Sequence, residues 1–147
     1  MRGFTLIEIL TVMALLMLIG AFIIPYSYEF YQLQKFEDIT SNIITNMNKA
    51  RNQALFQKSD SPFGVKFFSG YYVVFEGNAY ATRNTAKDER FDLPNDLIIS
   101  GLDEVIFHKL TAIPAAAGNA PLPSETININ LGKLTKTINI DKYGKIE

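Results

Sequence analysis

Arg2-Gly3-Phe4-Thr5-Leu6-Ile7-Glu8 opens a run in which residues 9–28 carry no charged side chain. At ~1.5 Å per residue, a helix of that length reaches ~30 Å, the hydrocarbon thickness of a bilayer. The expectation is therefore a membrane-spanning helix over residues 4–28. Glu8 sits just inside its apolar start. A carboxylate there costs roughly 2.5–3.5 kcal/mol on insertion scales unless a cation meets it. Arg2 lies outside the run, but a cut after Gly3 would create a new α-amine on Phe4. On a helix Phe4 and Glu8 are i and i+4, and Glu8 lies near the positive end of the helix dipole. Within one chain, or across to a neighbouring one, the two charges then cancel.

Near the far end, Pro25 removes a backbone donor and presses its ring on the carbonyl of Ala21, while Gly20 adds looseness. A helix kink at Gly20 and Pro25 is expected. Arg2 stands on the side that the positive-inside rule assigns to the cytoplasm, so the rest of the chain is expected to face outward from the inner membrane. A secretory signal of the usual kind needs a shorter apolar core and an A-x-A-like site, and Pro25-Tyr26-Ser27-Tyr28 is not one.

Working outward, residues 29–58 contain no Gly or Pro, and Leu33, Phe36, Thr40, Ile43, Met47, Ala50 and Ala54 recur at three-four spacing. That is the stripe of a helix burying one side. Lys35, Glu37, Asp38, Lys49 and Arg51 fall on the other. Ser59-Asp60-Ser61-Pro62 ends it. From Phe63 the period becomes two: Phe63, Val65 and Phe67 alternate with Gly64, Lys66 and Phe68, Ser69-Gly70 turns, and residues 71–75 return as a hairpin. The aromatic density reads as core, because a stacking platform for single-stranded nucleic acid interleaves several cations and Lys66 stands alone.

Residues 79–82 read as a short strand and 83–90 as a charged loop. Leu97-Ile98-Ile99 and Val105-Ile106-Phe107 read as two more strands around Ser100-Gly101, and residues 111–124, rich in Ala and Pro, as a long irregular loop. Alternation returns at Ile127, Ile129 and Leu131, turns at Gly132-Lys133, and runs back over residues 134–140 to a short tail strand at Tyr143-Gly144-Lys145-Ile146.

The chain of 147 residues has room for one helix and one domain with a single modest core. Its 14 Lys and Arg balance 15 Asp and Glu, so no global excess points to nucleic acid or to an acidic substrate. It has no cysteine, so packing alone must hold the domain. Asp88, Glu89, Asp92 and Asp96 are clustered acids but make no D-x-D-x-D-G calcium loop, and the single His108 makes a poor metal site. No cofactor or metal is expected. With no Ser motif and no Gly-rich phosphate loop either, the chain is not expected to be an enzyme.

Gly3 before the cut, Phe4, Thr5-Leu6-Ile7, Glu8 and the apolar helix carrying Pro25 together resemble the class III signal of type IV prepilins and type II secretion pseudopilins. Across most of the chain, the order helix, hairpin, middle strands, long loop and closing pair is similar to the GspH/FimT class of minor pilins and pseudopilins. Ala50-Arg51, Leu93-Pro94, Val105-Ile106-Phe107 and the late Gly144 fall where that class has similar residues. The resemblance implies cleavage after Gly3 by a prepilin peptidase, N-methylation of Phe4, and assembly through Glu8 with other pilin or pseudopilin subunits on an inner-membrane platform. The filament would be a type II secretion pseudopilus or a type IV pilus.

The implied fold is α+β and pilin-like. Residues 1–3 are a leader, 4–28 a transmembrane assembly helix, 29–58 its amphipathic continuation, and 59–147 an antiparallel β domain against which the helix packs. Relatives of the FimT kind bind DNA through an arginine-bearing tail. Here the tail offers Lys133, Lys136, Lys142 and Lys145 but no Arg, with Asp141 and Glu147 offsetting part of the charge. DNA binding during uptake is one alternative, and a plain single-pass membrane-anchored β domain is the other.

Overall fold

The computed structural model describes residues 3–56, 60–115 and 122–147, with the side chains of residues 22–27 outside the description. The chain divides into two compact units, Met1–Glu37 and Asp38–Glu147. Helix α1, Leu6–Leu55, is the one element that belongs to both.

In the first unit α1 carries large apolar side chains on all sides from Leu6 to Ile19, and they are exposed. The expected membrane-spanning first half is corrected here: among the described residues, no helix is long and apolar enough to cross a membrane. Glu8 stands in the first turn of α1, and from Glu29 onward Gln32, Gln34, Lys35, Glu37 and Asp38 make the helix polar. The expected single-pass placement in the inner membrane, with the β domain outside, loses its anchor for the same reason. The backbone is helical through Gly20 and Pro25, and the ring of Pro25, on which the expected kink turns, lies outside the described residues.

The amphipathic stripe is present as read. Phe36, Thr40, Ile43, Met47, Ala50 and Ala54 are buried, and only Leu33 of the expected set is exposed. Three- and four-residue steps keep these side chains on one side of the helix, and each large one buried adds about 1.5–3 kcal/mol.

The second unit carries two antiparallel sheets. Strands β1 (Phe63–Phe68) and β2 (Tyr71–Glu76) form the expected hairpin, with Phe68 opposite Tyr71 across Ser69-Gly70 and Gly70 at φ 83°. Strand β3 (Glu89–Asp92) pairs with β2, β5 (Glu104–Phe107) with β1, and β6 (Pro114–Ala115) with β5, giving the order β3-β2-β1-β5-β6. The other sheet is β4 (Leu97–Gly101), β7 (Ser124–Leu131) and β8 (Leu134–Asp141), in the order β4-β7-β8.

Three expectations change. Residues 80–82 form a 3-10 turn rather than a strand, because the Tyr80 N–H donates to the Glu104 carboxylate at 2.9 Å and its ring packs edge-on against Phe75 and Phe68. The charged stretch after it supplies β3. The Ala/Pro loop contributes β6 at Pro114–Ala115, and residues 116–121 of it lie outside the described residues.

Both faces of the first sheet are covered. On one side α1 is tied down by Asn46, whose amide donates to the Tyr72 hydroxyl at 2.7 Å, and by Lys49 paired with Glu89. On the other, Val73, Phe75 and Ile106 form a cluster closed by Phe68, Tyr71 and Tyr80. Gly64 is required there, since a Cβ would come within 2.5 Å of the Phe75 ring.

Candidate functional site

Thr5 precedes the first residue of α1, and its hydroxyl accepts from the Glu8 N–H at 3.3 Å while its carbonyl accepts from the Glu8 and Ile9 N–H groups. Thr5 is therefore the N-cap, and Thr5-Leu6-Ile7-Glu8 has the spacing of a capping box. Glu8 is the conspicuous residue of this stretch, but Thr followed three residues later by Glu ahead of an apolar run is also the sequence signature of the cap. Thr11 further along returns its hydroxyl to the carbonyls of Ile7 and Glu8, both at 2.9 Å, so it adds no unsatisfied donor to the apolar surface.

The cap changes the expected geometry of the N-terminal pair. Gly3 and Phe4 lie ahead of the helix, so Phe4 and Glu8 do not stack as i and i+4 within it. Both are exposed. Glu8 sits in the first turn, where the partial positive charge of the open N–H groups favours a carboxylate.

The four lysines of the tail do not converge. Lys133 is exposed in the β7–β8 turn, while Lys136 is half-buried and projects on the same side of β8 as Ile138 and Ile140. Lys142 and Lys145 stand beyond the other end of β8, which is ~23 Å away along the strand. There Lys142 lies over the Tyr143 ring, 5.0 Å from its centroid, and Lys145 pairs with Glu147. Phosphate spacing along a nucleic acid asks for a continuous stripe of cations, and these lysines form two separate pairs.

A different set of tail residues does come together. Gly144 has φ 78°, and a Cβ on it would collide with the Ala112 carbonyl oxygen and lie 3.2 Å from the Arg51 Nε. Asp141 accepts from the Lys145 and Tyr143 N–H groups, each at 2.8 Å, closing the turn around Gly144. The Lys145 N–H bond holds the Asp141 carboxyl below the usual carboxylate range, against a partial desolvation; the Tyr143 bond and the charges of Lys145 and Arg51 add to it. Arg51 late in the helix and Gly144 near the end of the chain thus meet at one point.

Three of the four clustered acids hold cations. Asp88 holds Arg83 at 2.8 Å, Glu89 holds Lys49, and Asp92 holds Arg90 at 2.9 Å. Among the described residues no three His, Cys, Asp or Glu side chains are grouped to hold a metal ion. His108 lies after β5, its N–H donating to the Ile113 carbonyl. The aromatic cluster does have cations that the sequence reading missed: the Arg83 guanidinium lies 3.6 Å from the Tyr80 ring centroid and that of Arg90 4.0 Å from Tyr71. They come from outside the hairpin, so local interleaving could not reveal them, and each is already engaged by its own aspartate.

Comparison with protein-family models, with curated proteins and with solved structures finds no match to this chain.

Proposed function

We propose that the chain is a structural, non-enzymatic filament subunit of the minor pilin or pseudopilin kind. It is cleaved after Gly3 by a prepilin peptidase, methylated on the Phe4 amine, and assembled through Glu8 with other subunits into a type II secretion pseudopilus or a type IV pilus. The observation that carries this reading is the stretch Gly3-Phe4-Thr5-Leu6-Ile7-Glu8 placed at the open start of a helix whose apolar side chains are exposed all round.

An apolar surface of that extent needs a cover, and helices of neighbouring subunits would supply it. Because Phe4 precedes the helix, its amine is free to reach the Glu8 of a neighbour instead of being fixed over its own. Methylation keeps the charge on that amine, so the pairing survives it. The spread of Lys133, Lys136, Lys142 and Lys145 into two groups supports a structural role over a DNA-binding one.

Intact-mass measurement of the protein from its native cells tests this directly: loss of Met1-Arg2-Gly3 and gain of one methyl are expected, and an uncut chain overturns the proposal. A Glu8→Gln chain, cut normally, should fail to enter filaments.

A further inference from the structure

The two sheets end in four outer edges, and three of them are guarded. The outer edge of β3 carries Arg90 and Asp92, the described part of β6 is two residues long and begins with Pro114, and β8 carries Lys136 and is met by the tail over residues 139–141. There Asn139 and Glu147 exchange backbone hydrogen bonds at 2.8 and 2.9 Å and Ile140 bridges to Ile146. Charge, proline, brevity and a covering segment are the usual ways of keeping a sheet edge from pairing with another chain. Among the described residues strand β4 has none of them: Leu97-Ile98-Ile99-Ser100-Gly101 contains no charge and no proline, and Ile98 is 64% exposed.

The register fixes which backbone groups of β4 are open. Leu102 donates to the Thr126 carbonyl, so Ser100 opposite Asn128 and Ile98 opposite Asn130 also face β7. Leu97, Ile99 and Gly101 then face away. The Leu97 N–H donates to the Pro94 carbonyl, and among the described residues nothing pairs with the N–H and C=O groups of Ile99 and Gly101. They border a groove of ≈ 320 Å3 whose opposite wall is Phe67, Phe68 and Ser69 at the tip of the β1–β2 hairpin, with Asp103 at its end.

Charge decides what fits. Asp96 is exposed at one end of β4, and at the other Lys66 is shared between Asp103, at 2.7 Å, and Glu104, at 3.4 Å, leaving that end negative. A second copy of the chain laid antiparallel with Ile99 against Ile99 would bring Asp96 of one beside Asp103 of the other at both ends, an arrangement opposed by like-charge repulsion. A strand with basic ends would be attracted instead. We propose that the outer edge of β4 is a docking edge for an extended segment of another protein, apolar at alternate residues and flanked by lysine or arginine, which adds as a new strand beside Leu97–Gly101. Main-chain bonds to Ile99 and Gly101 would give affinity, and Phe67 and Phe68 would receive its apolar side chains. This inference stands whether or not the chain builds filaments.

The test uses the full chain, dispersed in mild detergent, and a fluorescein-labelled heptapeptide of alternating threonine and valine with a lysine at each end. Fluorescence anisotropy should show saturable binding, about tenfold tighter than for the same peptide with glutamate ends, and weakening as salt rises. Ile99→Pro removes an outward N–H, which an edge strand tolerates, and Ile98→Lys places a guard on an exposed position. Either should weaken the peptide by about tenfold or more while the far-UV circular dichroism stays unchanged. Absence of saturable binding, equal binding of the two peptides, or binding indifferent to both substitutions overturns the proposal. So does a concentration-dependent dimer that Ile98→Lys abolishes, which would put a second copy on the edge.

Discussion

Helix α1 contains two regions with opposite relations to their surroundings. From Leu6 to Ile19 its large apolar side chains are 49–79% exposed, whereas Ile43, Met47, Ala50 and Ala54 are at 0%. The earlier region is the more hydrophobic of the two, and the later one is the one buried. Burial along this helix therefore follows the pattern of apolar residues and not their number. A stripe at three-four spacing has one side to cover and finds it within its own domain, while an all-round apolar surface has no single side and is left for contacts outside the chain.

The strongest way to break that contrast is to empty the buried region. Ile43→Ala should cost ~2–5 kcal/mol of stability, read from the shift in a urea unfolding midpoint, because the site lies fully inside. Gly144→Ala should cost about 2–3 kcal/mol, since alanine meets both an unfavourable positive φ and the Ala112 carbonyl beside Arg51. Asn46→Ala should cost about 1–2 kcal/mol by leaving the buried Tyr72 hydroxyl without its donor. The Tyr72 phenol is held above its usual range by burial, against the Asn46 bond, so its ultraviolet ionisation should begin at still higher pH in the variant.

A smaller effect concerns the turn that closes over Arg51. The folded Asp141 carboxyl lies below its ordinary 3.8, so its contribution to the turn is present above that value and is lost as pH falls through the depressed one. Hydrogen exchange of the Tyr143 and Lys145 amides should therefore stay protected at pH 5 and lose protection, relative to the Ile138 amide, as the pH falls below 3.8. Equal acceleration at all three positions would mean that the whole hairpin opens and that Asp141 does not hold the turn.

These contrasts separate what the sequence could reveal from what it could not. The stripe from Phe36 to Ala54 and the hairpin around Ser69-Gly70 were legible because both are set by neighbours a few residues away. Tyr80 was not, because the group that bends its segment into a 3-10 turn is Glu104, on β5. Leu97-Ile98-Ile99 and Val105-Ile106-Phe107 were legible as strands, but their separation into two sheets depends on Gly101 at φ 101°, where a side chain would collide with the Thr126 carbonyl. Gly3, Phe4 and Glu8 were legible as a pattern. The Thr5 cap that sets Phe4 outside the helix was written in the same residues and was overlooked, because an apolar run invites reading by length alone.

The finest test of the contrast is a substitution expected to do almost nothing. Leu15 is 61% exposed, so Leu15→Ala removes little that the dispersed chain has buried and should change its unfolding free energy by no more than ~0.5 kcal/mol. The same side chain would be covered in a filament, where its truncation should lower the share of the protein recovered with the fibres. A loss of more than about 1 kcal/mol in the dispersed chain would mean that the first region is packed before assembly, and the two halves of α1 would then differ in degree and not in kind. An unchanged recovery with an unchanged stability would show that the exposed side chains meet nothing at all, and the argument that they await neighbouring helices would fail at its first step.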